Sequence, residues 1–410
     1  MSEGAYDFID EFNERQAGMT LVTDPHERLA ALRRECPVQR IALRDILGEN
    51  VPKGPGMPDV IYSVLSHETV AQVLLDGATF SSAGYAKSMG LVMGHTILEM
   101  DEPEHGRYRS LLQKAFSKRA LDRWERELVR PVVNGLVDKF VSRGRAELVR
   151  ELTLPFPVSV IAGMIGLDPA DHLLFHRLAV ELISIAIDPA RGMRASQGLR
   201  ELFARVLAER RSAPRDDLMT VLAQSELDGT RLDDEAIYAF LRLLAPAGAE
   251  TTYRSSSNLI VALLRNRDQL EAVRRDRALL PQAIEEGLRW EPPLVGIMRT
   301  ATRDVEVAGV LIPEGSTVSV NMAAANRDPA RYDNPDVFDI FRPPKPHMAF
   351  AFGAHRCLGM HLARMETTVV MNAILDRLPE LQLDPDAGEV VITGATFRSP
   401  LAIPVRFAAS

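Results

Sequence analysis

The stretch of sequence that decides the fold runs from Phe350 to Gly359 and reads FAFGAHRCLG. Two glycines bracket Cys357, and His355 and Arg356 place cationic or polar groups just before it. Glycine permits unusual backbone dihedrals and lets a flat ligand lie against the loop. Nearby positive charge and a helix that begins after the cysteine favour the ionised thiolate. A lone cysteine is more often buried and inert, but this combination of spaced residues indicates a ligand site.

Composition limits the classes of protein that the chain can belong to. Its 410 residues are 46% hydrophobic and 25% charged, which excludes disordered, collagen-like and low-complexity classes and favours a large core. Two cysteines, Cys36 and Cys357, exclude a disulfide framework and an all-thiolate metal cluster. A net charge of −8 argues against a nucleic-acid partner. The chain has no apolar segment typical of a signal peptide or membrane anchor, so we expect a soluble, cytoplasmic protein.

The spacing of apolar residues predicts a mostly helical protein with a small β portion. Helical periodicity marks residues 104–120, 121–143, 170–187, 195–211, 233–265, 267–276 and 280–290. Strand-like runs occupy residues 60–65, 305–320, 390–393 and 403–407. Proline-rich punctuation then predicts an irregular C-terminal third.

The long helix over residues 233–265 contains a segment that suits a helix poorly. It measures about 50 Å at 1.5 Å per residue, and Asp233 or Asp234 can cap its start. Pro246 lacks an N–H, and Gly248 costs about 1 kcal/mol relative to alanine. Poor helix formers inside a good helix indicate either a distortion that makes room for a ligand or an ordinary kinked core helix.

The cysteine stretch resembles the haem-binding loop of the cytochrome P450 family, whose pattern is Phe-x-x-Gly-x-His/Arg-x-Cys-x-Gly. Phe350, Gly353, His355, Cys357 and Gly359 fill that pattern position by position. The family usually carries glycine where this chain has alanine at position 351, which leaves the ligand assignment intact. The resemblance covers nearly the whole sequence and is densest from residue 233 to 407.

The resemblance implies haem b as cofactor, with Cys357 as the axial ligand of its iron. Phe350 would lie beside the sulfur, and Gly359 completes the loop. The haem propionates would be bound by four cationic or polar residues. These are His105, Arg109, Arg299 and His355.

A second family motif, Glu-x-x-Arg, occurs five times in this chain and is uninformative alone. Only Glu286 and Arg289 lie at the family's position, about 70 residues before the cysteine. In the family this pair joins a later arginine, which Arg342 matches. The implied role is a buried charge network that holds the core of the haem loop.

Residues Ala247-Gly248-Ala249-Glu250-Thr251 resemble the family's oxygen-binding groove. A hydroxyl and a carboxylate, with water, can deliver protons to dioxygen. The resemblance therefore implies that Glu250 and Thr251 are catalytic. Family members that use peroxide typically lose this pair, so its presence argues for dioxygen and two electrons.

The family resemblance also implies an apolar, methionine-rich substrate pocket, although each of its residues is equally compatible with ordinary core. The expected lining residues are Met89, Leu91, Val92, Leu244, Ala247, Val295, Ile297 and Phe397. Exposed basic residues around Lys114, Lys118, Arg119, Arg356 and Arg364 are expected either to bind an acidic ferredoxin or to be plainly solvated.

The sequence thus predicts a single cytochrome P450 domain over residues 1–410, with its β-rich part mainly in 38–66, 290–320 and 385–407. The expected function is insertion of one oxygen atom from dioxygen into a small apolar substrate, by hydroxylation or epoxidation. Electrons would come from ferredoxin and ferredoxin reductase, and we expect a monomer. Two alternatives stay open: a peroxide-driven or oxidative-coupling enzyme on the same fold, and a non-catalytic haem sensor or carrier.

Overall fold

Helices form most of the chain, as the apolar spacing predicts. The computed structural model describes residues 7–15, 24–42, 60–186, 188–227 and 229–409. The α-helices in those ranges are α1 (Asp7–Arg15), α2 (His26–Glu35), α3 (His67–Leu75), α4 (Gly90–Met93), α5 (Glu104–Ala115), α6 (Lys118–Trp124), α7 (Arg130–Val137), α8 (Pro155–Ile165), α9 (His172–Ile183), α10 (Pro189–Ser212), α11 (Leu218–Gln224), α12 (Asp234–Arg265), α13 (Arg267–Arg275), α14 (Leu280–Trp290), α15 (Met322–Asn326) and α16 (Met360–Arg377).

The long helix predicted over residues 233–265 is confirmed as α12. The Asp233 side chain caps it by accepting the N–H of Ala236 over 2.7 Å, and the helix continues for 32 residues through Pro246. Gly248 makes room for a neighbouring helix: a Cβ there would lie 2.6 Å from Cδ1 of Ile161 on α8. Its missing side chain therefore allows two buried helices to approach closely.

The strands are short and form a small minority of the structure. They are β1 (Val38–Ala42), β2 (Val60–Val64), β3 (Phe80–Ser81), β4 (Arg145–Glu147), β5 (Glu226–Leu227), β6 (Thr230–Arg231), β7 (Gly296–Ala301), β8 (Val305–Val307), β9 (Val310–Ile312), β10 (Thr317–Asn321), β11 (Gln382–Leu383), β12 (Ile392–Thr393), β13 (Ser399–Pro400) and β14 (Pro404–Arg406). The largest sheet has the order β1-β2-β10-β7-β3. Its β10 pairs with β2 in parallel and with β7 antiparallel. Because β7 also pairs with β3, it lies inside the sheet.

Two expectations about the elements need correction. The irregular C-terminal third contains the 18-residue helix α16, whose start at the cysteine loop is not marked by a capping side chain. The helix predicted over 121–143 is interrupted by a π-helical turn, Glu125–Val129, next to Pro131, which has no N–H to continue the α pattern. Some short strands, such as β4, lie outside the ranges expected to hold most of the β structure. Part of the first predicted range, residues 43–59, lies outside the described residues.

The core surrounds α12. Most of its residues are buried, and the main apolar cluster extends from Phe8 on α1 to Phe407 near the C-terminus. None of the helices in the described ranges combines the length and apolar character needed to cross a bilayer. The central helix is therefore flanked by both ends of the chain, which matters for the site described next.

Candidate active site

The cysteine loop is closed by hydrogen bonds of its own backbone. The N–H of Cys357 donates to the carbonyl of Phe350 over 2.8 Å, and the N–H of Arg356 donates to the carbonyl of Gly353 over 3.1 Å. Gly353 has a φ of +71°, and a Cβ there would lie 2.4 Å from the carbonyl oxygen of Leu74. Both the dihedral and the close approach require glycine at this position.

Two other positions of the loop have backbone conformations that the sequence did not indicate. Gly359 has a φ of −84°, and among the described residues no atom lies within 4 Å of a Cβ placed there. Gly359 therefore has an ordinary backbone dihedral, and its role in the haem loop stays a prediction. Ala351 instead has a φ of +54°. That left-handed conformation costs alanine about 1 kcal/mol, which gives a physical reason for the family's glycine at this position.

The Cys357 side chain reaches open space on one side and is enclosed by protein on the others. Burial raises the pKa of its thiol, against the lowering effects of the Gly359 N–H, Arg109, Arg364 and Arg356. The nearby arginines and the Gly359 N–H thus favour the thiolate in the expected direction, and desolvation opposes them. A bound metal cation would supply the missing stabilisation, since a coordinating thiol loses its proton.

Four predicted propionate residues meet beside the cysteine. The rings of His105 and His355 stack with centroids 4.0 Å apart. Burial, followed by the charges of His105, Arg299 and Arg109, lowers the pKa of His355 to about 3. His355 is therefore neutral at physiological pH, and its Nε2 lies 3.2 Å from the hydroxyl of Ser82.

The two arginines of this cluster have no carboxylate within ion-pair distance among the described residues. Arg299, on β7, is only 6% exposed, and its Nη1 donates a hydrogen bond to the carbonyl of Met298. Arg109 donates to the carbonyl of Arg356 over 2.5 Å. Burial lowers the pKa of both guanidinium groups. A buried cation such as Arg299 is costly without an anion, and Arg109 lies half-buried beside the same cysteine, so this cluster suits an anionic ligand.

The donor set fits a haem. An accessible thiol lies next to a cluster of arginines and histidines that lacks a protein carboxylate for its guanidinium groups. Haem combines an iron that takes a thiolate ligand with two propionates that need cationic or hydrogen-bonding partners. When bound, the haem would supply the redox chemistry that activates dioxygen, and Cys357, His105, Arg109, Arg299 and His355 would hold it.

The middle of α12 has an accessible face. Ala247 is exposed and Thr251 is half-buried, although most of their neighbours on the helix are buried. The hydroxyl of Thr251 donates to the carbonyl of Ala247 over 2.8 Å. These two residues lie one turn apart, so they share a face of the helix that opens onto free space.

Glu250 lies on a buried face of the same helix and is 1% exposed. Its Oε2 accepts a hydrogen bond from Arg254 over 3.1 Å, and its Oε1 lies 3.9 Å from Nε2 of His176 on α9. Burial works to raise the pKa of Glu250, but His176 and Arg254 outweigh it and lower the pKa overall. The carboxylate is therefore ionised at neutral pH and lies next to Thr251 in the chain.

Glu366 on α16 is a second buried carboxyl group beside α12, and sequence reasoning missed it. It is 1% exposed, and burial raises its pKa to about 8 despite a hydrogen bond with Thr252. A protonated carboxyl group here can store a proton next to the helix that carries Thr251. The sequence does carry one signal of its burial. Glu366 is three or four residues from the apolar residues Leu362, Val369 and Val370, so it shares their face of the helix.

The Glu-x-x-Arg residues form one buried network. Nε and Nη2 of Arg289 each donate to the carboxylate of Glu286 over 2.7 Å. Nε of Arg342 lies 3.4 Å from the same carboxylate. Arg289 also donates to the carbonyls of Asn326, Pro335 and Val337. Such a network fixes the irregular chain between β10 and the cysteine loop, where regular secondary structure is sparse.

The residues expected to line the pocket differ in how far they are buried. Leu91 is 57% exposed and lies on the surface, whereas Val92 is buried and its carbonyl accepts the hydroxyl of Ser196 on α10. Val295 and Phe397 are neighbours, because the N–H of Val295 donates to the carbonyl that precedes Phe397. The other expected residues are Met89 and Ile297, which are half-buried, Leu244, which is buried, and Ala247, which is exposed.

Sequence comparisons identify relatives of the chain. A family model described as Cytochrome P450 matches residues 190–394. Cytochrome P450 monooxygenase PikC of Streptomyces venezuelae is 34% identical over 404 residues, covering 95% of this chain and 92% of that protein. Steroid C26-monooxygenase of Mycobacterium tuberculosis is 35% identical over 321 residues, covering 77% of this chain and 80% of that protein.

Solved structures show the same relationship. Cytochrome P450 CYP109Q5 from Chondromyces apiculatus superposes with a TM-score of 0.84 and 33% identity, covering 95% of this chain and 97% of that one. CYP109E1 from Bacillus megaterium in complex with testosterone gives a TM-score of 0.83 and 30% identity, covering 94% and 99%. The chain therefore belongs to the cytochrome P450 family: it is a haem-thiolate monooxygenase whose cofactor is haem b.

Proposed function

We propose that this monooxygenase inserts one oxygen atom of dioxygen into an apolar organic substrate and reduces the other oxygen atom to water. The reaction consumes two electrons and two protons for each oxygen atom inserted. The observation that carries the proposal is the position of Thr251 on the accessible face of α12, directly after the buried carboxylate of Glu250. Glu250 accepts a proton from solvent, and the Thr251 hydroxyl passes it to dioxygen.

Cys357 would ligate the iron, and Phe350 would lie beside the sulfur. The guanidinium of Arg364 stacks over the Phe350 ring at 4.7 Å and is held by the carboxylate of Glu285. His105, Arg109, Arg299 and His355 would bind the propionates. Two observations support these roles. The residues lie together around the accessible thiol, and among the described residues neither arginine is paired with a carboxylate.

The substrate is apolar and is held mainly by shape. The expected lining is aliphatic and aromatic apart from Met89, whose thioether adapts to ligands of different shape. One relative is named for a steroid substrate, and the related CYP109E1 has been solved with testosterone and with corticosterone. Steroids are therefore the first compounds to test, followed by fatty acids, terpenoids and small aromatics.

An acidic ferredoxin is the proposed electron donor. Lys114, Arg119 and Arg356 are exposed cations on an acidic protein, and Arg356 directly precedes the cysteine. Lys118 pairs with Asp122, which leaves it less available to a partner. Electrostatic steering by such a patch accelerates the encounter with an acidic protein, and the acceleration falls as salt increases.

The chain is further proposed to act as one cytoplasmic domain over residues 1–410, as a monomer. The main apolar cluster supports a single domain because it includes residues from α1 through to Phe407. The β-rich portion is expected mainly in 38–66, 290–320 and 385–407.

Two measurements test the assignment. The reduced carbon monoxide complex is expected to give the red-shifted Soret band of thiolate ligation, and a globin-like band would contradict Cys357 as ligand. Thr251→Ala is expected to consume reductant without matching product, because proton delivery is disrupted while electron uptake continues. Undiminished coupling in Thr251→Ala, or full activity with peroxide alone, would favour the peroxide-driven alternative.

A further inference from the structure

A buried arginine lies one turn after the proposed proton-relay carboxylate on α12. Arg254 is 0% exposed, and its guanidinium donates to Oε2 of Glu250 over 3.1 Å. An i,i+4 pair of this kind on a surface helix stabilises by a few tenths of a kcal/mol. Away from solvent the same pair is strongly coupled, because neither charge has water to replace its partner.

The surroundings of Arg254 are aromatic. Its guanidinium carbon lies 4.6 Å from the ring centroid of Tyr253, 5.3 Å from that of Phe397 and 6.0 Å from that of Phe12. Aromatic faces attract a cation, but they do not neutralise it. The carboxylate of Glu250 pairs with this buried cation.

Two further side chains fix the guanidinium, and they come from opposite ends of the chain. Asn13 on α1 accepts a hydrogen bond from Nη2 of Arg254 over 2.8 Å, and the hydroxyl of Ser399 on β13 accepts one from Nη1 over 3.1 Å. Asn13 is itself buried. Its hydrogen bond is shorter than the one between Arg254 and Glu250, so α1 contributes directly to the geometry of the pair.

The same N-terminal helix also contacts the second group that faces Glu250. Phe8 on α1 packs edge-on against the ring of His176 at 5.2 Å, and His176 is the residue 3.9 Å from Glu250. Separate ion pairs tie the outer face of α1 to the rest of the protein: Asp10 with Arg150 at 2.5 Å, and Glu11 with Arg191 at 2.7 Å. These outer ion pairs do not include Arg254, which makes them useful controls.

We propose that Arg254 is a positioning residue that holds the Glu250 carboxylate in its ionised, relay-competent orientation, and that α1 holds Arg254 through Asn13. The proposal rests on the proposed role of Glu250 in proton delivery. Among the described residues, Arg254 and His176 face Glu250, and the polar side chains of Asn13, Ser399 and Tyr253 lie against Arg254. If Asn13 is lost, the guanidinium is less constrained, and the buried carboxyl group keeps a proton to higher pH.

The decisive variant is Asn13→Ala in the full-length, haem-loaded enzyme, with Asp10→Asn as the matched control on the outer face of α1. The measurement is product formed per electron pair consumed, followed from acid to alkaline pH. Asn13→Ala is expected to lower this coupling on the acid side by roughly three- to tenfold, the equivalent of one hydrogen bond, with recovery at alkaline pH. Asp10→Asn is expected to follow the wild-type profile.

A second readout does not depend on turnover. The infrared band of the protonated Glu250 carboxyl group, identified by its absence from Glu250→Gln, is expected to persist to higher pH in Asn13→Ala than in wild type. If Asn13→Ala does not fold, Ser399→Ala removes a different acceptor of Arg254 and is expected to shift the profile in the same direction.

The outcomes separate this inference from the function on which it rests. If Glu250→Gln lowers coupling but neither Asn13→Ala nor Ser399→Ala shifts the pH profile, the positioning role is wrong and the relay role of Glu250 stands. If Asp10→Asn shifts the profile as much as Asn13→Ala, the effect comes from docking of α1 in general, and the specific role of Asn13 is wrong. Unchanged coupling in Glu250→Gln would overturn both proposals.

Discussion

Two buried carboxyl groups flank the middle of α12, and their surroundings give them opposite charge states. Glu250 is equally as buried as Glu366, at 1% exposure each. Glu250 lies beside Arg254 and His176, which lower its pKa despite its burial. Burial of Glu366 is opposed only by a hydrogen bond with Thr252, and its pKa rises to about 8.

The comparison shows that burial alone does not decide the charge of a carboxyl group. The desolvation penalty acts on both residues, and a cation within hydrogen-bonding distance reverses its effect on one of them. Glu250 on α12 is thus a proton acceptor near neutral pH, and Glu366 on the neighbouring α16 is a proton donor. A monooxygenase that consumes protons can use both forms, so the contrast is worth testing residue by residue.

The largest expected effect comes from breaking the ion pair of Glu250. Arg254→Met leaves a buried carboxylate without its partner and is expected to lower the free energy of unfolding by about 3–5 kcal/mol. Glu250→Gln is expected to be destabilising for the converse reason, because Arg254 stays charged. The double variant should lose much less than the sum of the two, since neither charge is left alone. Chemical denaturation of all four proteins at pH 7 measures the coupling energy.

An additive double variant would contradict this account of the pair. Glu285→Gln serves as a matched control, because Glu285 also pairs with an arginine, Arg364, but is partly exposed. Its cost is expected to be smaller than that of Glu250→Gln, since water can solvate the charge that remains.

The next largest expected effect is the change with pH in the contribution of Glu366 to folding stability. Because its pKa rises from an ordinary value of 4.5 to about 8 on folding, its contribution to stability is fully present below pH 4.5 and is lost as the pH rises towards 8. The loss is at most about 4 to 5 kcal/mol. Glu366→Gln stays neutral at every pH, so it is expected to be more stable than wild type at pH 9 and similar to it at pH 5.

Glu250 provides the opposite control. Its pKa is lowered on folding, so its contribution is present above its ordinary pKa and is lost as the pH falls below that value. Denaturation curves of wild type and both glutamine variants between pH 4 and 9 therefore separate the two groups. If Glu366→Gln and wild type respond identically to alkaline pH, Glu366 is not protonated in the folded state.

Much of this contrast depends on contacts that sequence spacing does not encode. Glu250 was predicted because it precedes Thr251, and its partner Arg254 lies one helical turn away, within reach of a local rule. The third member, Asn13, is 241 residues from Arg254 along the chain. No periodicity relates those positions, so only the fold brings them together.

The cysteine loop shows the same division between local and long-range information. The positions of Cys357, Gly353 and His355 follow from a short pattern, and Gly353 does take the left-handed conformation that glycine permits. The net effect on the Cys357 pKa could not be predicted, because it depends on how much protein encloses the sulfur. Glu366 was missed for a related reason: its burial is set by the packing of α16 against α12.

The smallest expected effect is at the hydrogen bond of Glu366. Thr252→Val keeps the shape of the side chain but removes the hydroxyl that lowers the pKa of Glu366, so that pKa is expected to rise further. The cost is about 1 kcal/mol at pH 7, and the loss of stability with rising pH should continue to higher pH than in wild type. Thr367→Val is a suitable control, because the hydroxyl of Thr367 donates within its own helix, to Ala363. If the midpoint of the alkaline transition stays where it is in wild type, Thr252 does not contact the carboxyl group, and Glu366 would be protonated through burial alone.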